Sequence, residues 1–176
     1  MSPSRKGIIL AALQLAIVVS LGAKYAIDRG RFPRVWAQTA AYDPDLPIRG
    51  RYLSVRVRVD ADRVYAGSEL PKGNVANFWS DQREVTLGAD GGHLVAYPAP
   101  TPTGVRVTRW KTRNGDIVAG LTEPVDFFLP EHAIDPSRRQ AGEELWIEVT
   151  VPATGPPRPI RLAVKKGDTF TPLEIK

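Results

Sequence analysis

The sequence predicts a mainly β protein with an N-terminal transmembrane helix and one antiparallel β-barrel or β-sandwich domain. Residues 7–23 read GIILAALQLAIVVSLGA, in which Gln14 is the only strongly polar side chain. After residue 48, short stretches of alternating apolar and polar residues are separated by turns that contain Gly and Pro. The 176-residue chain leaves room for one domain with its own core behind the anchor.

Residues 1–27 are predicted to form the anchor helix with a short N-terminal tail. The apolar core of a bilayer is about 30 Å thick and takes about 20 mostly apolar residues, with about 17 as the lower limit. Residues 7–23 reach that limit, and residues 25–27 extend it. A cleaved signal peptide is the alternative, but no suitable pair of small residues follows directly after the apolar run. We therefore expect an uncleaved anchor.

The formal net charge of +5 belongs to the flanks of the anchor. Residues 1–34 contain six basic side chains and one acidic side chain, so the remainder of the chain is balanced. Basic flanks suit the anionic headgroups of a membrane. A nucleic-acid-binding protein would carry its excess positive charge on the folded domain, so we expect no nucleic-acid partner.

The orientation of the anchor follows from two opposing signals. Two basic residues precede the apolar run and four follow it, which favours a cytoplasmic C-terminal side. A very short tail before a signal-like apolar run is instead typical of an exported domain. We expect a single-pass protein of the inner (cytoplasmic) membrane with a periplasmic domain. The chain lacks cysteine, so disulfides provide no test of the compartment.

The remainder divides into a predicted linker, residues 28–47, and a predicted β domain, residues 48–176. The linker contains mixed charges and three prolines, and Trp36 within it is expected at the membrane interface. Strict alternation predicts a strand over residues 52–59. Further strands are predicted over residues 83–87, 93–97, 104–110, 117–121, 145–151 and 160–164, with hairpin turns at Ala89–Gly92 and Asn114–Gly115. For residues 69–82 the sequence does not decide between a helix and a loop. A short helical turn is expected over residues 135–140.

The residues that carry chemistry in enzymes are sparse. Without cysteine there is no thiol nucleophile, and His93 and His132 are too few and too isolated for a zinc site, so no metal or cofactor is expected. No Gly-x-Ser-x-Gly elbow occurs. A hydrolase stays open in two forms, with a Ser–Lys dyad or with a carboxylate site. The carboxylate form would use residues that lie close in sequence: Glu123, Asp126, Glu131 and His132.

Two basic segments offer a candidate anion site. Arg56 and Arg58 share the polar face of one predicted strand, and Arg106 and Arg109 belong to another. If the two segments were neighbours, they would form a cationic patch for phosphates or lipid headgroups. The competing interpretation is that these arginines pair with acidic residues across the strands.

Residues 43–57 read DPDLPIRGRYLSVRV, and residues 127–131 read FFLPE. These segments resemble the GDYXXLXY protein family, whose signature is Gly-Asp-Tyr-x-x-Leu-x-Tyr and which also contains a Tyr-Phe-(Val/Ile)-Pro-Glu segment. Arg51, Val55 and Val57 depart from the signature. The resemblance implies membrane anchoring and a compact β domain in a bacterial protein, and it brings no known catalytic residues. The positions that match are Gly50, Tyr52, Phe128, Pro130 and Glu131.

These observations favour a non-enzymatic binding or assembly module that docks on a membrane or envelope protein. The alternatives are a membrane-tethered hydrolase with a carboxylate or Ser–Lys site, and a sensor of anionic lipid or phosphate headgroups.

Overall fold

The computed structural model describes residues 3–41, 48–49, 52–69, 81–112, 114–130, 136 and 139–174. The chain divides into two units, Met1–Phe32 and Pro33–Lys176. Helix α1 spans Pro3–Arg31 and ends before Pro33, which cannot continue a helix. Its segment Lys6–Arg31 contains an 18-residue stretch with a mean hydropathy of 2.0 and is long and apolar enough to cross a membrane. The helix is therefore compatible with single-pass membrane anchoring, and it extends four residues beyond the predicted anchor.

The second unit is built from antiparallel strands, as predicted. Its described part contains eleven strands and one short helix: β1 (Arg34–Ala41), β2 (Ile48–Arg49), β3 (Tyr52–Val57), α2 (Asp62–Tyr65), β4 (Arg83–Asp90), β5 (His93–Pro98), β6 (Arg106–Lys111), β7 (Ile117–Leu121), β8 (Val125–Phe128), β9 (Glu143–Thr150), β10 (Arg158–Lys166) and β11 (Thr169–Pro172). The two predicted hairpin turns join β4 to β5 and β6 to β7.

The strands form a large and a small sheet. The large sheet has the order β11-β10-β9-β1-β3-β2, with β8 also paired to β3, and the small sheet has the order β5-β4-β6-β7. Neither sheet closes on itself, so the fold is sandwich-like rather than a barrel. One apolar core unites the inward-facing residues of both sheets, and its most fully buried members include Leu53, Val57, Val85, Val107, Leu145, Ile147 and Leu162.

The structure differs from the predicted linker over residues 28–47. Strand β1 occupies the middle of this stretch and pairs with β9 and β3 in the centre of the large sheet. Its residues Val35, Ala37 and Thr39 are buried, whereas Trp36 and Gln38 lie on the other face. This is the same alternation that identifies β3, and Trp36 is thus part of the β domain.

Residues 58–60 connect the two sheets at the end of β3. The Arg58 N–H donates to the Gln38 carbonyl of β1 at 2.9 Å, and the next N–H, from Val59, donates to the Ala119 carbonyl of β7 at 3.0 Å. The Asp60 N–H then donates to the Leu94 carbonyl of β5 at 2.9 Å. The chain therefore leaves β1 at Arg58 and joins the small sheet, and a cleft opens where the two partners separate.

Candidate functional site

The cleft at this separation has a volume of about 470 Å³. Strands β1 and β9 line one side, strands β5 and β7 line the other, and residues 58–62 lie between them. The volume falls in the range of about 300–1,000 Å³ that is typical of pockets for small organic molecules. The side chains that give the cleft its chemical character are Trp36, Gln38, Arg58, Asp60, Asp62, His93, Ile117 and Trp146.

The apolar wall of the cleft comes from both sheets. Trp36 and Trp146 lie on the outer face of the large sheet, and the Phe170 ring packs edge-on against both, with centroid distances of 4.8 and 6.1 Å. The Arg161 guanidinium lies 5.3 Å from the Trp36 ring centroid. Ile117 contributes an aliphatic side chain that is 57% exposed. These contacts hold the two indoles in place, so the wall is formed before any ligand binds.

Arg58 supplies the positive charge of the cleft. Its side chain is half-buried, and Nη1 donates to Oε1 of Gln38 at 2.6 Å. The buried Nε has no hydrogen-bond acceptor. Within the described ranges no carboxylate pairs with this guanidinium. Arg58 thus reaches the cleft with most of its donor capacity unused.

Two aspartates supply the negative charge. Oδ1 of Asp60 accepts a hydrogen bond from the Asp62 N–H at 3.1 Å, which fixes the start of α2. Both side chains are exposed, and in the part of the chain that the structure describes the Asp62 carboxylate forms no ion pair. His93, at the start of β5, lines the same cleft and is also exposed.

The described lining of the cleft contains a guanidinium, two carboxylates, an imidazole and two indoles. Of the described residues that line it, none is Ser, Thr, Tyr or Lys. Among all residues that the structure describes, no group of three or more His, Cys, Asp and Glu side chains could hold a metal ion. The arrangement offers a guanidinium, carboxylates and an aromatic wall around one space, which are the elements of ligand recognition.

The four arginines of the predicted anion site do not form one surface. The Arg56 guanidinium lies 5.1 Å from the Trp110 ring centroid. Arg106 is paired with Glu123 at 3.2 Å and also donates to Gln82 at 2.9 Å. The acidic partner of Arg106 therefore comes from the loop after β7.

The Arg109 side chain lies in the interior of the domain. Its Nε donates to Asp81 Oδ2 at 2.8 Å, and both side chains are less than 10% exposed. The guanidinium lies 4.0 Å from the Tyr65 ring centroid. The Tyr65 hydroxyl donates to the carbonyls of Asp81 and Val107, and burial raises its pKa to about 12. Of the four arginines, Arg58 is the one that lines the cleft.

Two residues of the proposed carboxylate site, Asp126 and Glu123, are described, and each has another partner. Asp126 is exposed on β8 and accepts a hydrogen bond from Ser54 on β3. Glu123 is exposed and paired with Arg106. Glu131 and His132 lie outside the described residues.

The family-like segments are neighbours in the large sheet. Tyr52 on β3 pairs directly with Phe128 on β8, and their rings meet edge to face at 5.7 Å. Both side chains are about half exposed, at 49% and 51%. Pro130 is half-buried just after β8, and Gly50 and Glu131 lie outside the described residues.

Sequence reasoning missed most of the cleft. It singled out Arg58, but it placed Trp36 at the membrane interface and assigned Gln38 to a linker. The alternation of buried and exposed residues in β1 was the available signal. Comparisons with the models of protein families, with curated proteins and with solved structures find no match for this chain.

Proposed function

We propose that this chain is a non-enzymatic binding module, anchored in the inner membrane by α1 and exposing its β domain to the periplasm. The observation that carries the proposal is the cleft, which combines an aromatic wall with a guanidinium and carboxylates. The apolar helix supports the anchor.

No observation favours either alternative as strongly. The carboxylates named for the hydrolase have other partners: Asp126 accepts a hydrogen bond from Ser54, and Glu123 is paired with Arg106. A headgroup sensor would need a continuous basic face, yet Arg106 and Arg109 are each bound to a carboxylate. In the cleft, by contrast, no described ion pair involves Arg58 or Asp62.

Topology is the first experiment. Reporters that are active only in the periplasm or only in the cytoplasm are fused after residue 176 of the full chain. The proposal expects activity from the periplasmic reporter alone. Activity from the cytoplasmic reporter alone would overturn the periplasmic placement and would direct the search to cytosolic partners.

Site-specific photo-crosslinking then tests the cleft as the binding surface. A photoreactive amino acid replaces Ile117 at the cleft or, as the control, Asp168 in the exposed turn between β10 and β11. The two full-length variants are irradiated in native membranes. An adduct of defined mass from position 117 and not from position 168 is expected. Equal labelling at both positions, or no adduct from position 117, would count against the binding function.

A further inference from the structure

We propose that the cleft binds a zwitterionic molecule, with its carboxylate at Arg58, its ammonium at Asp62 and its apolar part against Trp36 and Trp146. Free amino acids and short peptides carry this combination of groups. The inference rests on the proposed binding function and adds the chemical class of the ligand.

Opposite charges line one cleft without pairing. Arg58 and Asp62 both contribute to its surface, yet no nitrogen–oxygen contact within 4.0 Å joins them. The ion pair of Arg109 and Asp81, by contrast, is in direct contact, with 2.8 Å between Nε and Oδ2. Two separated poles of opposite sign provide a site in which each pole can bind one charge of a ligand.

Charges of both signs line the cleft. A simple anion would be attracted by Arg58 but would meet the carboxylates of Asp60 and Asp62 in the same cleft. A simple cation would meet the Arg58 guanidinium, whose charge is permanent. A ligand with one charge of each sign avoids both conflicts, because each charge faces its complement.

The remaining surface of the cleft also fits a zwitterion with an apolar part. The guanidinium of Arg58 has free N–H groups in a planar fork, the geometry that carboxylates bind best. Trp36, Trp146 and Ile117 present apolar surface beside it. Aromatic walls of this kind bury the apolar body of a ligand, while a few polar groups fix its orientation. The cleft volume of about 470 Å³ accommodates molecules of the size of an amino acid or a dipeptide.

The experiment measures binding to the full-length chain in detergent micelles by calorimetry. The probes are phenylalanine and glycyl-phenylalanine, and each is compared with its N-acetylated and its C-amidated form. We expect at least one of the two zwitterions to bind and each blocked form to bind about tenfold more weakly or worse, because each block removes one charge. Preference for phenylalanine or for the dipeptide distinguishes the two sources of the zwitterion.

Variants assign the two poles. Arg58→Gln should bind each unmodified probe and its C-amidated form equally, because the partner of the carboxylate is lost. Asp62→Asn should bind each unmodified probe and its N-acetylated form equally, because the partner of the ammonium is lost. Arg63→Gln and Asp90→Asn break an exposed ion pair outside the cleft and should leave both preferences unchanged. The comparison within the unmodified chain does not depend on whether a variant folds.

Two results would overturn the inference: blocked and unblocked probes that bind alike, or a panel in which no probe binds. If the panel fails while position 117 still gives its crosslinked adduct, the binding function stands and the zwitterionic ligand falls. If the adduct is absent as well, both fall.

Discussion

Arg58 follows the last residue of β3, and both its backbone and its side chain donate a hydrogen bond to Gln38 of β1. The Arg58 N–H donates to the Gln38 carbonyl at 2.9 Å, and Nη1 of Arg58 donates to Oε1 of Gln38 at 2.6 Å. The second bond holds the guanidinium at the cleft. Nε of Arg58 is buried without an acceptor. Among the described residues, the Gln38 side chain is therefore the hydrogen-bond acceptor of the Arg58 guanidinium.

We expect Gln38→Met to lower the free energy of unfolding by about 1–2 kcal/mol, because it leaves a half-buried charged donor unsatisfied. Urea unfolding of the full chain, followed by tryptophan fluorescence, measures the loss. All four tryptophans lie in residues 33–176, so the signal reports on the β domain. Gln82→Met is the matched control: Gln82 also accepts from an arginine, but that arginine, Arg106, keeps Glu123. Equal losses in the two variants would contradict the special role of Gln38.

The buried ion pair of Arg109 and Asp81 should be far more sensitive than an exposed pair. Asp81→Asn leaves the Arg109 charge uncompensated in the interior, and we expect a loss of about 3 kcal/mol in the same assay. In Arg63–Asp90 the contact is 3.3 Å and both side chains are more than half exposed, so Asp90→Asn should cost less than about 1 kcal/mol. Similar costs for the two variants would mean that Arg109 finds another acceptor once Asp81 is neutral.

Local periodicity explains which elements the sequence could predict. Strands β3 and β9 alternate strongly between branched aliphatic and polar residues, and turns at Gly91 and Gly115 have positive φ values of 57° and 94° that suit glycine. Strand β1 was missed because alanine is a weak apolar signal and the flanking prolines resemble a linker. Strand β11 was missed because all four of its residues are exposed at the edge of the sheet.

The cleft could not be predicted because its parts come together over long sequence distances. Trp36, Arg58, Ile117 and Trp146 meet only through the order of strands in the two sheets. Periodicity within one strand identifies its faces, but it does not identify the neighbouring strand. The sequence therefore offered Arg58 as one of four equivalent arginines, and the pairing of strands separated it from the other three.

Gly120 should tolerate no side chain, because three elements meet at this residue. A Cβ there would lie 2.7 Å from the Val57 carbonyl oxygen and 2.7 Å from Cη2 of Trp110. We expect Gly120→Ala to destabilise the domain by about 2 kcal/mol or more, since neither the backbone nor a packed indole can easily withdraw. In Gly88→Ala the Cβ would instead meet the outer ring edge of Tyr97, which is half-buried and can rotate away. The same unfolding assay should show a smaller loss for Gly88→Ala, and a reversed order would refute the argument.

Tyr65 should make the stability of the domain depend on alkaline pH. Burial raises the pKa of its hydroxyl from 10.0 to about 12 in the folded chain. The unfolded chain therefore ionises first, so the stabilisation is complete below pH 10 and is lost as the pH rises toward 12. We expect this loss to reach about 2 kcal/mol near pH 12.

Tyr65→Phe isolates this effect, because it keeps a ring beneath Arg109 and removes only the hydroxyl that donates to Asp81 and Val107. At pH 8 the variant should be about 1 kcal/mol less stable than the natural chain, since two buried carbonyls lose their donor. Urea unfolding from pH 8 to pH 11.5 measures the difference in unfolding free energy between the two chains. This difference should narrow above pH 10 and then change sign, because ionisation of Tyr65 stabilises the unfolded state of the natural chain and cannot occur in the variant. Parallel curves over the whole interval would show that the folded hydroxyl ionises as readily as a tyrosine in water, and would contradict its burial between the two carbonyls.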